Sequence, residues 1–515
     1  KQDGILVNTD FQRFNGRLNL ENQTKKWLRL GMNMAYTYIN QTKQEGFELS
    51  DDNKLAGIST RSMEEAIYIQ SLISSPATSP YDADGNFTVL GAEDQEIKMN
   101  PLRNATYSPI YVKRNNFIGQ TFADITFYSD AQQSVNWRNE FGIDFSNEGE
   151  SSFIPKEGKS ANKQLFINRE NQYWRYCSTL NYQRTSVNKF HRLGAMLGYE
   201  VWRATWEGIN LTKSDYLDDM RFIDKKYQNA YLGEDGPISG YKGATSMMST
   251  FARVNYSYRG RYMATATGRL DGSSTLSPEH RWDFFPSFSL AWNIAEEDFM
   301  KPIAKGTKKT VSQLKLRAGW GQTGNAGTNM AHIGYYKPIN SIGGQSAMAQ
   351  GAWTNPDLVW ETNWQVNAGI DASFFKDRLN LVFDAFYKQN NDLIVTAEYG
   401  PTLASTADAY LYTAVPDINA GSIKNVGFDV NLTSTNIQID RLGAYPFSWN
   451  SDLNFSLVRN EVLSLQSDSA VLEGKRQFKT STRTYCVSKV GEAPGMFWGF
   501  KTDGLIQNTE QLTEL

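Results

Sequence analysis

The chain has 515 residues, 40% of them apolar and 13% aromatic, with 52 basic against 55 acidic side chains and a net charge of −3. A balance so near neutral sets up no global field that would gather nucleic acid, and two cysteines, Cys177 and Cys486, exclude a disulfide framework and are read as reduced and incidental. No run reaches the roughly 20 apolar residues of a membrane helix, and no linker or compositional break divides the sequence, so one architecture is expected throughout.

Taken in chain order, alternation of apolar and polar residues marks arms near 18–20, 28–38, 119–127, 135–145, 176–182, 193–201, 248–258, 262–270, 284–292, 314–320, 364–374, 379–387, 426–432 and 447–457. These make about 14 strands, most near the roughly 9–11 residues that a tilted strand needs to cross a bilayer. The pattern is cleanest at 364–387. Trp364, Val366, Ala368, Ile370, Ala372 and Phe374 share one face, and after the turn 375–378 Leu379, Leu381, Phe383, Ala385 and Tyr387 share one face of the returning arm.

The arms pair into seven hairpins with short polar turns, whereas most connections between hairpins are long: approximately 39–116, 146–173, 202–247, 323–359 and 389–424. Short connections at one end and long ones at the other characterise an outer-membrane β-barrel. Charge separates this from a large soluble β protein, which also alternates. A Lys or Arg facing lipid at the midplane costs about 2–4 kcal/mol, and the apolar faces of these arms carry no Asp, Glu, Lys or Arg. The opposite faces carry Arg29, Asp124, Arg138, Asp144, Glu200, Arg253, Arg269, Asp283, Lys315, Arg317, Asp371, Asp384, Asp429 and Asp452. Tyr36, Tyr38, Tyr182, Tyr199, Tyr256, Tyr258, Tyr262 and Trp292 fall toward arm ends on the apolar face, as interfacial aromatics do. The expected fold is therefore all-β, a portion of a transmembrane antiparallel β-barrel.

Several segments, in order, resemble the SusC/RagA family of TonB-dependent outer-membrane transporters. They are residues 11–20, Gly268-Arg269-Leu270-Asp271-Gly272-Ser273-Ser274, Arg281-Trp282-Asp283-Phe284-Phe285-Pro286-Ser287-Phe288-Ser289-Leu290-Ala291-Trp292, Leu314-Lys315-Leu316-Arg317-Ala318-Gly319-Trp320-Gly321-Gln322-Thr323-Gly324-Asn325, Asn355-Pro356-Asp357-Leu358-Val359-Trp360-Glu361, Asn425-Val426-Gly427-Phe428-Asp429 and Gly499-Phe500-Lys501-Thr502-Asp503-Gly504. Leu270 departs from the family, which often has an aromatic there. The resemblance implies that residues 1–515 are an incomplete TonB-dependent receptor-type barrel of a 22-stranded class. Its plug domain and terminal strands are expected outside this sequence, which opens at Lys1 without a signal segment and closes at Leu515 without a terminal aromatic.

The resemblance further implies active import of oligosaccharides or oligopeptides. A SusD-like surface lipoprotein would lid the mouth, TonB would act through the plug region, and outer-membrane lipid would surround the wall. A passive porin, a surface adhesin or a soluble carbohydrate-binding β protein would use the same alternation. The long loops are the expected lid contacts and ligand rim. On them Trp202, Trp206, Tyr335, Tyr336 and Trp353 are candidates to stack on sugars or hold peptide side chains, against the alternative that they pack the loops together.

Other motifs are weaker. Gly319, Gly321 and Gly324 fit the dinucleotide spacing, but no helical period follows them, so glycines shaping a strand exit are the better reading. Asp82, Asp84 and Asn86 alternate as in a calcium loop, yet Phe87 stands where the loop requires Gly, which favours a hairpin turn on Asp84-Gly85. Residues 63–74 have a helical pattern. Three histidines without zinc spacing, no nucleophile elbow and no cofactor motif make catalysis the least supported class.

Overall fold

The computed structural model describes residues 1–44, 71–72, 79–88, 100–154, 163–214, 234–304, 310–327, 330, 332–334, 336–342, 345–350, 353–396, 416–442, 445–467, 470–478 and 481–501. Its main feature is a sheet of 15 strands whose hydrogen-bonded order follows sequence order. One strand, Gln2–Asp3, has two residues. The others are β1 (Asp10–Lys25), β2 (Leu28–Lys43), β3 (Ile110–Ser129), β4 (Gln133–Ile154), β5 (Lys163–Thr185), β6 (His191–Ser214), β7 (Glu234–Tyr258), β8 (Tyr262–Ser273), β9 (Trp282–Asn293), β10 (Val311–Asn325), β11 (Glu361–Phe374), β12 (Leu379–Asn391), β13 (Ser422–Leu442) and β14 (Tyr445–Ser464). Every predicted arm falls within one of these strands.

Two features depart from the sequence reading. Strands run further into the long connections than alternation indicated: β6 continues through 202–214 and β7 begins at 234. The β9–β10 connection, expected as a short turn, contains a 3-10 turn at Ile294–Glu296 and α2 (Lys301–Ala304), following α1 (Pro101–Tyr107) earlier in the chain. The dinucleotide alternative is closed by geometry, because β10 runs straight through Gly319, Gly321 and Gly324 and no helix follows before the next strand among the described residues. Of the helical pattern at 63–74, only Ser71 and Leu72 are described, and both are helical; the rest lies outside the described residues.

Contacts divide the chain into two units, Lys1–Phe127 with Asn136–Thr179 and Tyr199–Met247, and Tyr128–Val135 with Leu180–Gly198 and Met248–Leu515. In the first, Leu18 opposes Met34 and Leu20 opposes Met32 on the apolar face. On the other face Arg29 bonds Asp124 at 2.5 Å and Glu21 at 3.1 Å, while Arg138 reaches Asp124 at 3.0 Å. Both guanidinium groups lie over the Phe122 ring, at 5.5 and 4.3 Å. That ring covers Gly31 on the facing strand, where a Cβ would overlap it.

In the second unit, register aligns Trp320, Val366, Tyr387 and Val426 on the apolar face, with Leu316, Ile370, Phe383 and Val430 beside them. The opposite face aligns Arg317, Gly369, Asp384 and Asp429. Gly369 has no side chain to block Arg317, which donates to Asp371 at 3.0 Å and reaches across to Asp384 at 2.9 Å. Hydrogen bonds to charged groups are worth about 1.5–3 kcal/mol each, and this face holds such groups in pairs. A bulge between Thr435 and Ile437 shifts the phase of β13. It brings Ile437 and Ile439 onto the face of Leu432 and Val430, where unbroken alternation would have turned them to the charged side.

The short connections are tied by carboxylates. Asp130 accepts from the Tyr128 hydroxyl at 2.5 Å and from the amides of Gln132 and Gln133, both at 2.7 Å, and these donors hold its pKa below the ordinary carboxylate value. After β9, Glu297 accepts from the Tyr262 hydroxyl at 2.6 Å, the Trp292 indole at 3.0 Å and Arg261 at 3.0 Å. Asp298 pairs with Lys301 at 2.5 Å and Arg261 at 2.9 Å, and those cations, Lys301 first, lower its pKa to about 2. Lowered carboxylate pKa values mean stability present at neutral pH and lost on acidification. The stability difference between the wild type and Asp298→Asn should therefore be constant from pH 7 to 5 and close between about pH 4 and pH 2, measured by urea unfolding of the detergent-solubilised protein. A difference that closes near pH 6 would contradict this assignment.

Candidate functional site at the hydrated face and the long connections

Strands β4 to β7 have 22, 23, 24 and 25 residues, against roughly 9–11 needed to cross a bilayer. Their surplus projects beyond the hydrocarbon. Trp202 and Trp206, expected on a loop, therefore stand on β6, on the same hydrated face as Glu200. Two positions four apart on a strand are roughly 13 Å apart along it.

Residues that alternation overlooked complete this strip. Tyr173 on β5 lies beside Trp202, ring centroids 5.8 Å apart at 41°, and Arg175 pairs with Glu200 at 2.5 Å directly below. Tyr241 on β7 covers Gly208, and Trp206 covers Gly243; a Cβ at either glycine would overlap the ring. Large rings rest on bare backbone in this way when the facing residue is glycine. All four aromatics are half-buried. The signal for Tyr173 and Tyr241 was parity, since each falls on the hydrated side once the strands are extended.

Of the remaining predicted aromatics, Tyr335 lies outside the described residues. Tyr336 opens a two-stranded ribbon, opposite Gln350, and Trp353 is half-buried in the stretch leading to β11. Both belong to the second unit, whereas Trp202 and Trp206 belong to the first. The segment with Asp82, Asp84 and Asn86 is a hairpin, bridged at Tyr81 and Phe87. Asp82 Oδ1 accepts from the amides of Asp84 at 3.0 Å and Asn86 at 2.8 Å, so this carboxylate closes its own turn.

Four of the family-like motifs, through residues 268–274, 281–287, 319–325 and 355–361, meet around one small core at the long-connection end of the second unit. Leu276 is fully buried, with Leu358, Trp360, Phe285 and Ala326 buried as well. Trp360 meets Phe285 edge-on at 5.4 Å and donates its indole N–H to the Arg281 carbonyl at 3.0 Å. Ser277 donates to the Pro356 carbonyl at 2.6 Å, Thr275 to the Ala326 carbonyl at 3.0 Å, and the His332 ring faces the Thr275 carbonyl at 3.1 Å. Asn419 clamps the Val359 backbone from both sides, donating at 2.9 Å and accepting at 2.8 Å. These motifs hold the ends of β8 to β12 together.

A meander whose membrane-crossing arms keep one face free of charge and pair ions on the other, with long connections at one end, defines the wall of an outer-membrane β-barrel. Residues 64–493 match the family described as TonB dependent receptor-like, beta-barrel, and the chain belongs to it and to the outer membrane. Among curated relatives, TonB-dependent receptor P26 of Formosa agariphila is 26% identical over 99% of this chain and 48% of its own length. TonB-dependent receptor SusC of Bacteroides thetaiotaomicron is 29% identical over 51% of this chain and 26% of its own length. The chain spans about half the length of the first of these, and likewise of TonB-dependent receptor P3 of Formosa agariphila, of which it covers 48%. Among solved structures, the RagAB peptide transporter matches with a TM-score of 0.73 at 20% identity, over 95% of this chain and 50% of that one. The fold and the SusC/RagA type expected from the motifs are thus met.

Trp360→Ala should destabilise by about 3–5 kcal/mol, as deletion of a buried aromatic does. Denaturant unfolding in detergent measures this, and limited proteolysis should cut within 353–360 in the variant first. An unchanged unfolding midpoint would show that the motif core does not hold the rim.

Proposed function

We propose that these residues form most of the wall and the outer rim of an importer that carries oligosaccharides or oligopeptides across the outer membrane. The plug, through which TonB acts, and the strands that complete the wall lie in the part of the protein that this chain does not span. A SusD-like surface lipoprotein closes over the long connections. The observation that carries this reading is the strip of Tyr173, Trp202, Trp206 and Tyr241, which sets flat, half-open aromatic surfaces on the hydrated side of the wall. Sugar rings and peptide side chains stack on such surfaces at low entropic cost. Membership in a TonB-dependent family supports the energy coupling, and the peptide transporter with a similar fold supports a cargo of that size.

The test uses the full-length protein in its native outer membrane. Radiolabelled oligosaccharide and oligopeptide pools are offered to cells with and without TonB. Uptake of one pool should depend on TonB, and Trp202→Ala with Trp206→Ala should reduce binding of that pool about tenfold or more, in line with stacking losses of roughly 1–3 kcal/mol. Uptake that persists undiminished without TonB would refute active import. Unchanged binding by the double variant would remove the strip from the ligand path.

A further inference from the structure

The apolar face of the second unit contains a depression that neither the transport reading nor the family assigns to anything. Register sets Ala318, Ala368 and Ala385 side by side on three adjacent strands. Toward the short connections the same face carries Leu316, Ile370 and Phe383, and across β8 and β9 it carries Tyr262 and Trp292. Three small side chains beside larger ones leave a hollow of about 690 Å³. That lies within the range of roughly 300–1,000 Å³ typical of small-molecule sites. The surrounding side chains are aliphatic and aromatic, and Arg317, whose backbone contributes to the floor, turns its guanidinium to Asp371 and Asp384 on the other face.

The end of the hollow at Tyr262 and Trp292 is polar. Both side chains donate to Glu297, and Arg261, Asp298 and Lys301 adjoin it, giving two cationic and two anionic groups within one connection. Asp298 and Lys301 are 65% and 52% exposed and keep an open side. On the same connection Phe299 and Ile303 are exposed apolar side chains, an arrangement suited to the boundary between headgroups and acyl chains.

We propose that this hollow is a site for one phospholipid, with an acyl chain against the alanine floor and a zwitterionic headgroup at Arg261, Glu297, Asp298 and Lys301. The occupant follows from where the face lies. A charge-free face in an outer membrane meets hydrocarbon, so a chain of methylenes fills the hollow. Lipid tails are as apolar as leucine, so the hydrophobic effect does not favour this chain over its neighbours. Retention comes from packing, since a chain in a hollow has contacts on several sides where bulk lipid has them on one. The headgroup adds selection: equal numbers of both charges suit a phosphate joined to an ammonium, and suit a net-anionic headgroup less.

The experiment is native mass spectrometry of the full-length protein in detergent, with phosphatidylethanolamine and phosphatidylglycerol added in equal amounts. The wild type should retain one phosphatidylethanolamine preferentially. Ala368→Leu with Ala385→Leu, which fills the floor, should lower that retention about tenfold, while Ala266→Leu, on the same face outside the hollow, should not. Heat-modifiable gel migration confirms that each variant is folded. Equal retention by the filled variant, equal retention of both lipids, or a hollow that carries detergent only would overturn the proposal.

Discussion

A backbone amide in hydrocarbon has no water to bond, and each group left unpaired there costs several kcal/mol. Everything else in this structure follows from that constraint. It requires ladders in place of loops through the membrane, and a meander in sequence order meets it with the shortest links, each strand satisfying the one before it. Once ladders are fixed, side chains have only two directions, and a register slip of one residue would exchange the two faces completely. The bulge at Thr435 and Ile437 shows the same constraint from the other side: the chain accepts a local break in the ladder to keep Ile437 and Ile439 on the lipid face.

The two faces solve different problems. Outward, the wall needs only apolar area and an interfacial belt, supplied in the second unit by Tyr258, Tyr262 and Trp292 stacked at 6.4 Å intervals. Inward, each charge needs a counter-charge close by. The sheet supplies one by leaving glycine between partners, as with Gly369 between Arg317 and Asp384. Where no charge occupies such a gap, a ring does: Phe122 covers Gly31, and Phe251 covers Gly198 beneath Arg269. Glycine in a strand is otherwise destabilising, so its placement under rings and guanidinium groups is what makes it tolerable here.

How much of this was legible in the sequence depended on where lipid acts. Within the membrane the exclusion of charge from one face imposes alternation, and there every arm, its face and its partner were readable. Past the membrane both sides of a strand are wet, alternation lapses, and 202–214 of β6 reads as loop although the ladder continues. That misplaced Trp202 and Trp206 on a loop and hid Tyr173 and Tyr241, whose meaning depends on strand parity. The β9–β10 connection was missed for a similar reason: Glu297 and Asp298 look like ordinary turn residues until Tyr262, Trp292 and Arg261 are brought to them.

The motifs that carry the family likeness bear on specificity in an unexpected way. Where four of them meet, Phe285, Leu358 and Trp360 are buried beside Leu276, and the flanking Thr275, Ser277 and Asn419 donate to backbone carbonyls. Side chains buried to hold strand ends together present little surface to a ligand. Two proteins can therefore share these motifs without sharing a cargo. Discrimination falls instead to half-buried side chains such as Trp206, whose seat over the bare backbone of Gly243 leaves the ring free to be exchanged for other shapes without disturbing the ladder that carries it.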